Sequence, residues 1–277
     1  MSLDADVRDL WAKHEAGDLD ADASHVHDVL HEFLDVLEAG EVRAAEPNGD
    51  DGKWVANAWV KQGILLTFAT HGIDQYEYGG VTYNDVLPLQ DTAEYGARGS
   101  RNTPDGTVVR AGAHVGSDCI LMSPSFVNIG ASVGDGTLVD SCDTVGSCAQ
   151  IGSDVKLGAN TLVGGVLEPV EGAPVVVEDG VSLGAGCRVT SGFVVGEDSV
   201  VGENTLLTPR IPVYDLVEDE VVYGELPSER RAFQRYVESS VSEEALIPGS
   251  AYKPAVVATA LEDETLEATE REEVLRE

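Results

Sequence analysis

From Val109 onward an aliphatic residue returns at every sixth position: Val109, Val115, Leu121, Val127, Val133, Val139, Val145, Ile151, Leu157 and Val163. The register resumes at Val177 and continues through Leu183, Val189, Val195, Val201, Leu207 and Val213. Glycine often follows the aliphatic residue, as at Gly116, Gly134, Gly146, Gly152 and Gly158. Small residues favour the fourth place after it, as at Ala113, Ala131, Thr137 and Ala149. Antiparallel strands would alternate with period two and turn at irregular intervals. A constant period of six predicts a three-sided solenoid, in which one aliphatic side chain per side points inward and stacks on its counterpart in the next coil. Glycine is expected at the corners, where it tolerates backbone angles other residues resist, and small residues in the narrow interior. No coil can bury its own core, so the stack forms only as a set. The expected fold is mainly β: a left-handed parallel β-helix, an exception to the right-handed crossover rule.

Val163 and Val177 are fourteen positions apart, not a multiple of six. The segment from Gly164 to Pro174 is therefore expected to leave the coil as a loop, where solenoids commonly place binding residues.

The flanks follow other periods. Val26, Val29, Leu30, Phe33, Leu34 and Leu37 lie at helical spacing, with Gly40 as a C-cap. Trp54 to Phe68 reads as a helix running into a strand, and Pro88 to Asn102 as a linker. Beyond Tyr214, Asp215 to Gly224 resembles a hairpin, Tyr252 to Ala260 a strand, and Leu261 to Glu277 an acidic helix or tail. These readings divide the chain into a largely helical N-terminal domain (1–100), the β-helix (101–214) and a small C-terminal extension (215–277).

Composition narrows the function. The net charge of −33 is spread along the chain rather than held in a tail, which argues against a nucleic-acid partner. A dispersed acidic surface with few lysines is expected of a halophilic protein, whose self-repulsion is screened by salt. No apolar run approaches the length of a membrane span, and Met1 to Asp6 lacks the features of a signal peptide, so a cytoplasmic location is expected. The four cysteines form no C-x-x-C pair and read as small packed thiols.

Fold alone does not give chemistry. Zinc hydration chemistry needs about three histidines, and the coils hold only His114, so no metal is expected. His25, His27 and His31 in the N-terminal segment read as exposed or capping residues. His114 would be the base of a histidine-dependent acetyltransferase. Asp140 directly follows Val139, where the pattern usually has glycine. Arg101 stands just before the repeat, and an arginine fork suits a dicarboxylate.

At these residues the chain resembles the tetrahydrodipicolinate N-succinyltransferase family. Met122 to Ala131 is similar to that family's MPSYVNIGA stretch with one residue inserted. Thr137 to Ile151 (TLVDSCDTVGSCAQI) resembles TMVDTWATVGSCAQI, and Gly164 to Pro169 matches GGVLEP. The segment from Trp54 to Phe68 is similar to a tryptophan-rich helix of the family. The likeness runs from about Val42 to Tyr214.

The resemblance implies succinyl transfer from succinyl-CoA, a cosubstrate rather than a tightly bound cofactor, to ring-opened tetrahydrodipicolinate. It also implies a homotrimer with sites between neighbouring β-helices. Asp140 would then be the catalytic carboxylate, as base or as nucleophile. Arg101 would bind a substrate carboxylate, with Asn128 and Ser147 as polar contacts. Gly164 and Gly165 would let the pantetheine arm approach backbone amides, and Arg210, Arg231 and Lys253 are candidates for the CoA phosphates. Where relatives read GARSEVVEG this chain reads GAGCRVTSG, so Arg188 takes the place of a site glutamate. An arginine there would hold another carboxylate or alter the donor preference. An acetyl-CoA enzyme of the same fold and a non-catalytic β-helix scaffold are the alternatives.

Overall fold

In the computed structural model, residues 2–48, 52–104, 106–239 and 251–262 are described. Two-residue strands separated by corners wind into three parallel sheets. The first sheet contains Arg101–Asn102, Ile120–Leu121, Leu138–Val139, Lys156–Leu157, Ser182–Leu183 and Val200–Val201; the second runs from Thr107–Val109 to Leu206–Leu207, and the third from His114–Val115 to Val194–Val195. Val139 pairs with Leu121 on one side and Leu157 on the other, so each inward aliphatic sits on its counterpart one coil away. Val133, Val139, Val145, Ile151 and Leu157 are all 0% exposed. Each such side chain contributes about 1.5–3 kcal/mol by leaving water. The hexad β-helix expected from the repeat is the fold observed.

The glycines act differently from expectation. Those that follow the inward aliphatics are not in the left-handed backbone region. A Cβ on Gly134 would lie 2.5 Å from the Gly152 backbone, and one on Gly146 would lie 2.2 Å from the Gly165 amide nitrogen. Glycine stands there because consecutive coils touch through their backbones. The left-handed corners come later in each hexad, at Asp118, Gly136, Asp154, Gly180 and Asp198 after the third sheet, and at Cys142, Asn160, Gly186 and Asn204 after the first. Aspartate and asparagine tolerate this conformation better than most residues. Their placement explains many of the acids in the turns.

The coil also begins earlier and ends later than the aliphatic register indicates. Arg101–Asn102 pairs with Ile120–Leu121, and the segment taken as a linker contains a 3-10 turn, Thr92–Arg98, whose Tyr95 is 1% exposed in the solenoid core. At the far end Glu225–Leu226 joins the third sheet and Arg231–Ala232 the first. These pairings lie past Tyr214 because a hairpin, Val213–Asp215 with Glu220–Val222, interrupts the hexad spacing. Arg230–Glu238 and Tyr252–Ala260 then form an antiparallel ribbon. Of the segment expected as an acidic helix or tail, residues 263–277 lie outside the described residues.

Three helices, α1 (Leu3–Ala16), α2 (Ser24–Glu38) and α3 (Ala58–Thr70), make the N-terminal unit. Trp54–Ala56 is a strand that precedes α3, the reverse of the expected order. It pairs with Ala45–Pro47, and Asn57 turns the chain into the helix. Leu30, Phe33, Val60 and Ile64 pack with Ala111, Ile129 and Cys148 on the outside of one coil corner, so the helices are seated on the β-helix. A two-stranded hairpin, Asp74–Tyr78 with Val81–Asp85, turns at Gly79-Gly80, both with positive φ. Both carboxylate oxygens of its Asp85 accept from the one Nη2 of Arg110, at 2.9 and 2.7 Å. No described helix is long and apolar enough to cross a membrane.

Candidate active site

In the first sheet the residues that follow the inward aliphatics form a column: Met122, Asp140, Gly158, Gly184 and Gly202. The three glycines leave that edge without side chains. Along it runs a groove of 920 Å³, with Asp140 at one end and Arg231 and Arg235 at the other. Four strand steps separate Leu138–Val139 from Arg231–Ala232, roughly 19 Å at the ordinary inter-strand spacing. The arrangement is a carboxylate, a floor of glycine backbone flanked by Lys156 and Glu203, and a pair of guanidinium groups, of which Arg231 is paired with the exposed Glu262 at 3.7 Å. It fits an extended molecule with a reactive head and an anionic tail.

Asp140 is half-buried, and its Oδ1 accepts a hydrogen bond from the Ser141 amide at 2.6 Å. The Asp140 amide donates to Asp143 Oδ2 at 2.7 Å. Asp143 is 1% exposed, and its other oxygen accepts from the Thr161 amide at 2.7 Å. Burial pushes the Asp143 carboxyl up to about 8; the Thr161 and Asp140 amides oppose that shift and the nearby Asp140 charge adds to it. Asp143 is not among the residues expected for the site, because the hexad pattern marks out only the aliphatic and glycine places. The signal was nevertheless present: a carboxyl at the fourth place, where the pattern keeps small side chains.

Arg101 lies on the same sheet as Asp140. It pairs with Ile120, which pairs with Leu138, and its side chain is exposed. Arg101 and Arg231 therefore flank Asp140 along the sheet from opposite sides. Arg188 belongs to the second sheet, exposed between Leu162 and Leu206, and its Nη1 donates to the Gly186 carbonyl at 2.9 Å. It stands one face round from the groove, past the corner that holds Gly184.

The remaining candidates do not converge there within one chain. Gly164 and Gly165 line a separate hollow of 550 Å³ with Glu168, Thr190 and Ser191. A Cβ on Gly165 would lie 2.7 Å from the Ser147 amide nitrogen, and Val166 donates to the Ser147 carbonyl at 3.2 Å. These glycines thus seat the loop on the coil. Asn128 is held within the domain contact: its Oδ1 accepts from Ile129 at 2.9 Å and from Arg110 at 3.3 Å. Arg210 and Lys253 are exposed outside the groove lining. His114 is packed under the end of α2, with Nδ1 at 2.9 Å from the Glu38 carbonyl. His27 and His31 sit beside His71, with ring centroids 5.1 and 6.1 Å from it. Cys119, Cys148 and Cys187 are buried, and burial pushes their thiols up.

Residues 2–70 match the family described as tetrahydrodipicolinate N-succinyltransferase N-terminal. A protein of Methylobacterium sp. is 36% identical over 261 residues, covering 91% of this chain and 90% of its own. One from Idiomarina loihiensis is 37% identical over 207 residues, covering 73% and 74%. Both are named 2,3,4,5-tetrahydropyridine-2,6-dicarboxylate N-succinyltransferase. This chain belongs to the tetrahydrodipicolinate N-succinyltransferase family. The fold agrees with a crystal structure from Campylobacter jejuni, a candidate 2,3,4,5-tetrahydropyridine-2-carboxylate N-succinyltransferase. The TM-score is 0.53 at 15% identity, over 87% of this chain and 64% of that one.

Proposed function

We propose that this protein transfers the succinyl group of succinyl-CoA to the amine of ring-opened tetrahydrodipicolinate, a step of lysine and diaminopimelate synthesis. The observation that carries the reading is Asp140 at the head of a glycine-floored groove that ends in Arg231 and Arg235. The reaction needs an unprotonated amine beside a positioned thioester. The amine nitrogen attacks the thioester carbonyl carbon, and Asp140 accepts the proton the nitrogen sheds. The C–S bond then breaks, and the CoA sulfur leaves with a proton passed on from Asp140. The products are the amide and free CoA.

Role follows position. Arg231 holds a phosphate of the CoA tail, and the backbone of Gly158, Gly184 and Gly202 accommodates the extended arm. Arg101 receives a carboxylate of the acceptor. In our reading a second and third copy complete the site: a homotrimer brings the edge bearing Gly164, Gly165, Ser147 and Arg188 of one chain toward the groove of another. Arg188 then supplies a further cation for a dicarboxylate. Base catalysis by Asp140 is favoured over a mixed anhydride because the Ser141 amide engages its Oδ1. The reaction belongs in the cytoplasm, where CoA thioesters are made and used.

The test is CoA release with succinyl-CoA and with acetyl-CoA, each with tetrahydrodipicolinate. Turnover with succinyl-CoA well above that with acetyl-CoA is expected. Turnover with acetyl-CoA alone would replace the donor assignment, and none with either would leave a scaffold.

A further inference from the structure

The fourth place after each inward aliphatic is closed to solvent: Thr137, Ala149, Thr161, Ser199 and Thr205 are at most 1% exposed. The hydroxyls of Thr137 and Ser199 stitch neighbouring coils together, while those of Thr161 and Thr205 donate to the carbonyls of Gly158 and Gly202 three residues back. Val155 donates its amide to Thr137 Oγ1 at 3.2 Å, and Arg230 donates to Ser199 Oγ at 3.2 Å. Asp143 makes the same stitch through Oδ1 to the Thr161 amide. Its second oxygen adds a bond that these hydroxyls do not make, to the Asp140 amide three residues back. The Asp143 amide in turn donates to the Asp140 carbonyl at 3.3 Å. Between these bonds the corner passes through Cys142 in the left-handed region, φ 66°. The backbone that carries Asp140 is therefore tied to the next coil through one buried carboxyl.

We propose that Asp143 is a positioning residue for Asp140: by holding the Asp140 and Thr161 amides on its two oxygens, it sets the direction in which the Asp140 carboxylate enters the groove. This inference rests on the role assigned to Asp140 above.

The clamp is titratable. Its carboxyl ionises near 8, and among the described residues Asp140 is the charged group that perturbs it. The other groups it meets are the Thr161 and Asp140 amides. Once ionised, Asp143 accepts more strongly from both amides. Its charge also makes Asp140 a stronger proton acceptor. Turnover should therefore carry a rise near pH 8 that an uncharged side chain at this position removes.

The experiment measures kcat and both KM values from pH 6 to 9 for the full-length protein and for Asp143→Asn, Asp143→Ala and Asp140→Asn, with thermal melts to establish the folded fraction. Asp143→Ala is expected to lower kcat about fivefold with both KM values within about twofold, the pattern of a group that acts on the transition state rather than on binding. Asp143→Asn keeps the shape but offers one acceptor oxygen to two amide donors, so it should recover only part of kcat at pH 6.5 and lack the rise near pH 8. Both Asp143 variants keeping the wild-type kcat and pH profile while Asp140→Asn loses turnover would overturn the proposal and leave the Asp140 assignment intact. So would losses fully accounted for by a lower folded fraction. Full turnover in Asp140→Asn would instead remove the assignment of Asp140, and the role of Asp143 with it.

Discussion

The Lys61 ammonium, on α3 and 0% exposed, donates a hydrogen bond to the carbonyl of Gly172 in the loop that leaves the coil. Burial holds the lysine below its ordinary range, and the neighbouring Cys148 and Glu171 oppose that effect. The helical unit thus grips the loop that bears Gly164 and Gly165. Lys61→Met removes the donor and leaves a carbonyl without its partner, at a cost of about 1–3 kcal/mol. A fall in melting temperature of roughly 2–4 °C per kcal/mol is expected for a chain of this size, and calorimetry checks it.

The groove predicts a division of kinetic labour between its ends. Asp140→Asn keeps the shape but removes the base, and kcat is expected to fall on the order of 10²–10⁴-fold with little change in KM. Arg231→Ala removes a phosphate partner and is expected to raise KM for succinyl-CoA, on the order of tenfold, while kcat at saturation is kept. Steady-state kinetics with varied donor separates the two.

Asp143 predicts a pH dependence of stability with a definite sign. Burial pushes its carboxyl up to about 8 in the folded chain, from an ordinary value of 3.8. Between those limits the folded state holds a proton that the unfolded state has lost, so this group's contribution falls as pH rises from about 4 to 8 and then levels off. The loss should be on the order of a few kcal/mol. Urea unfolding at pH 5 and pH 8 should show a smaller difference in Asp143→Asn than in the wild type; an equal difference in both would reject the shift.

The net charge of −33 predicts a dependence on salt. Screening shortens the reach of repulsion from about 10 Å at 0.1 M to about 3 Å at 1 M. The melting temperature is expected to rise between low salt and molar KCl. A flat or falling curve would mean that the acidic surface is not an adaptation to salt.

How much could be read in advance depends on the range of the interaction. The inward stack from Val109 to Val213 repeats locally, and each hexad meets the same demand, so period alone specified the β-helix. The loop at Gly164 to Pro174 was visible as a break in that period. The segment around Trp54 was misread because a strand-to-helix switch at Asn57 depends on a partner strand, Ala45–Pro47, which no local pattern announces. The glycines were placed correctly but explained wrongly: their contacts lie with the next coil, eighteen or more residues away.

The aliphatic register and the acidic surface were determined by the sequence itself, because both follow from each residue's own encounter with water. Asp140 stood out there as a break in the glycine column. Only the tertiary structure joined it to Arg231, some ninety residues on, and put Asp143 beneath it, because coiling makes neighbours of residues separated by whole turns. Burial in that stack, not residue type, is what lifts the Asp143 carboxyl to about 8.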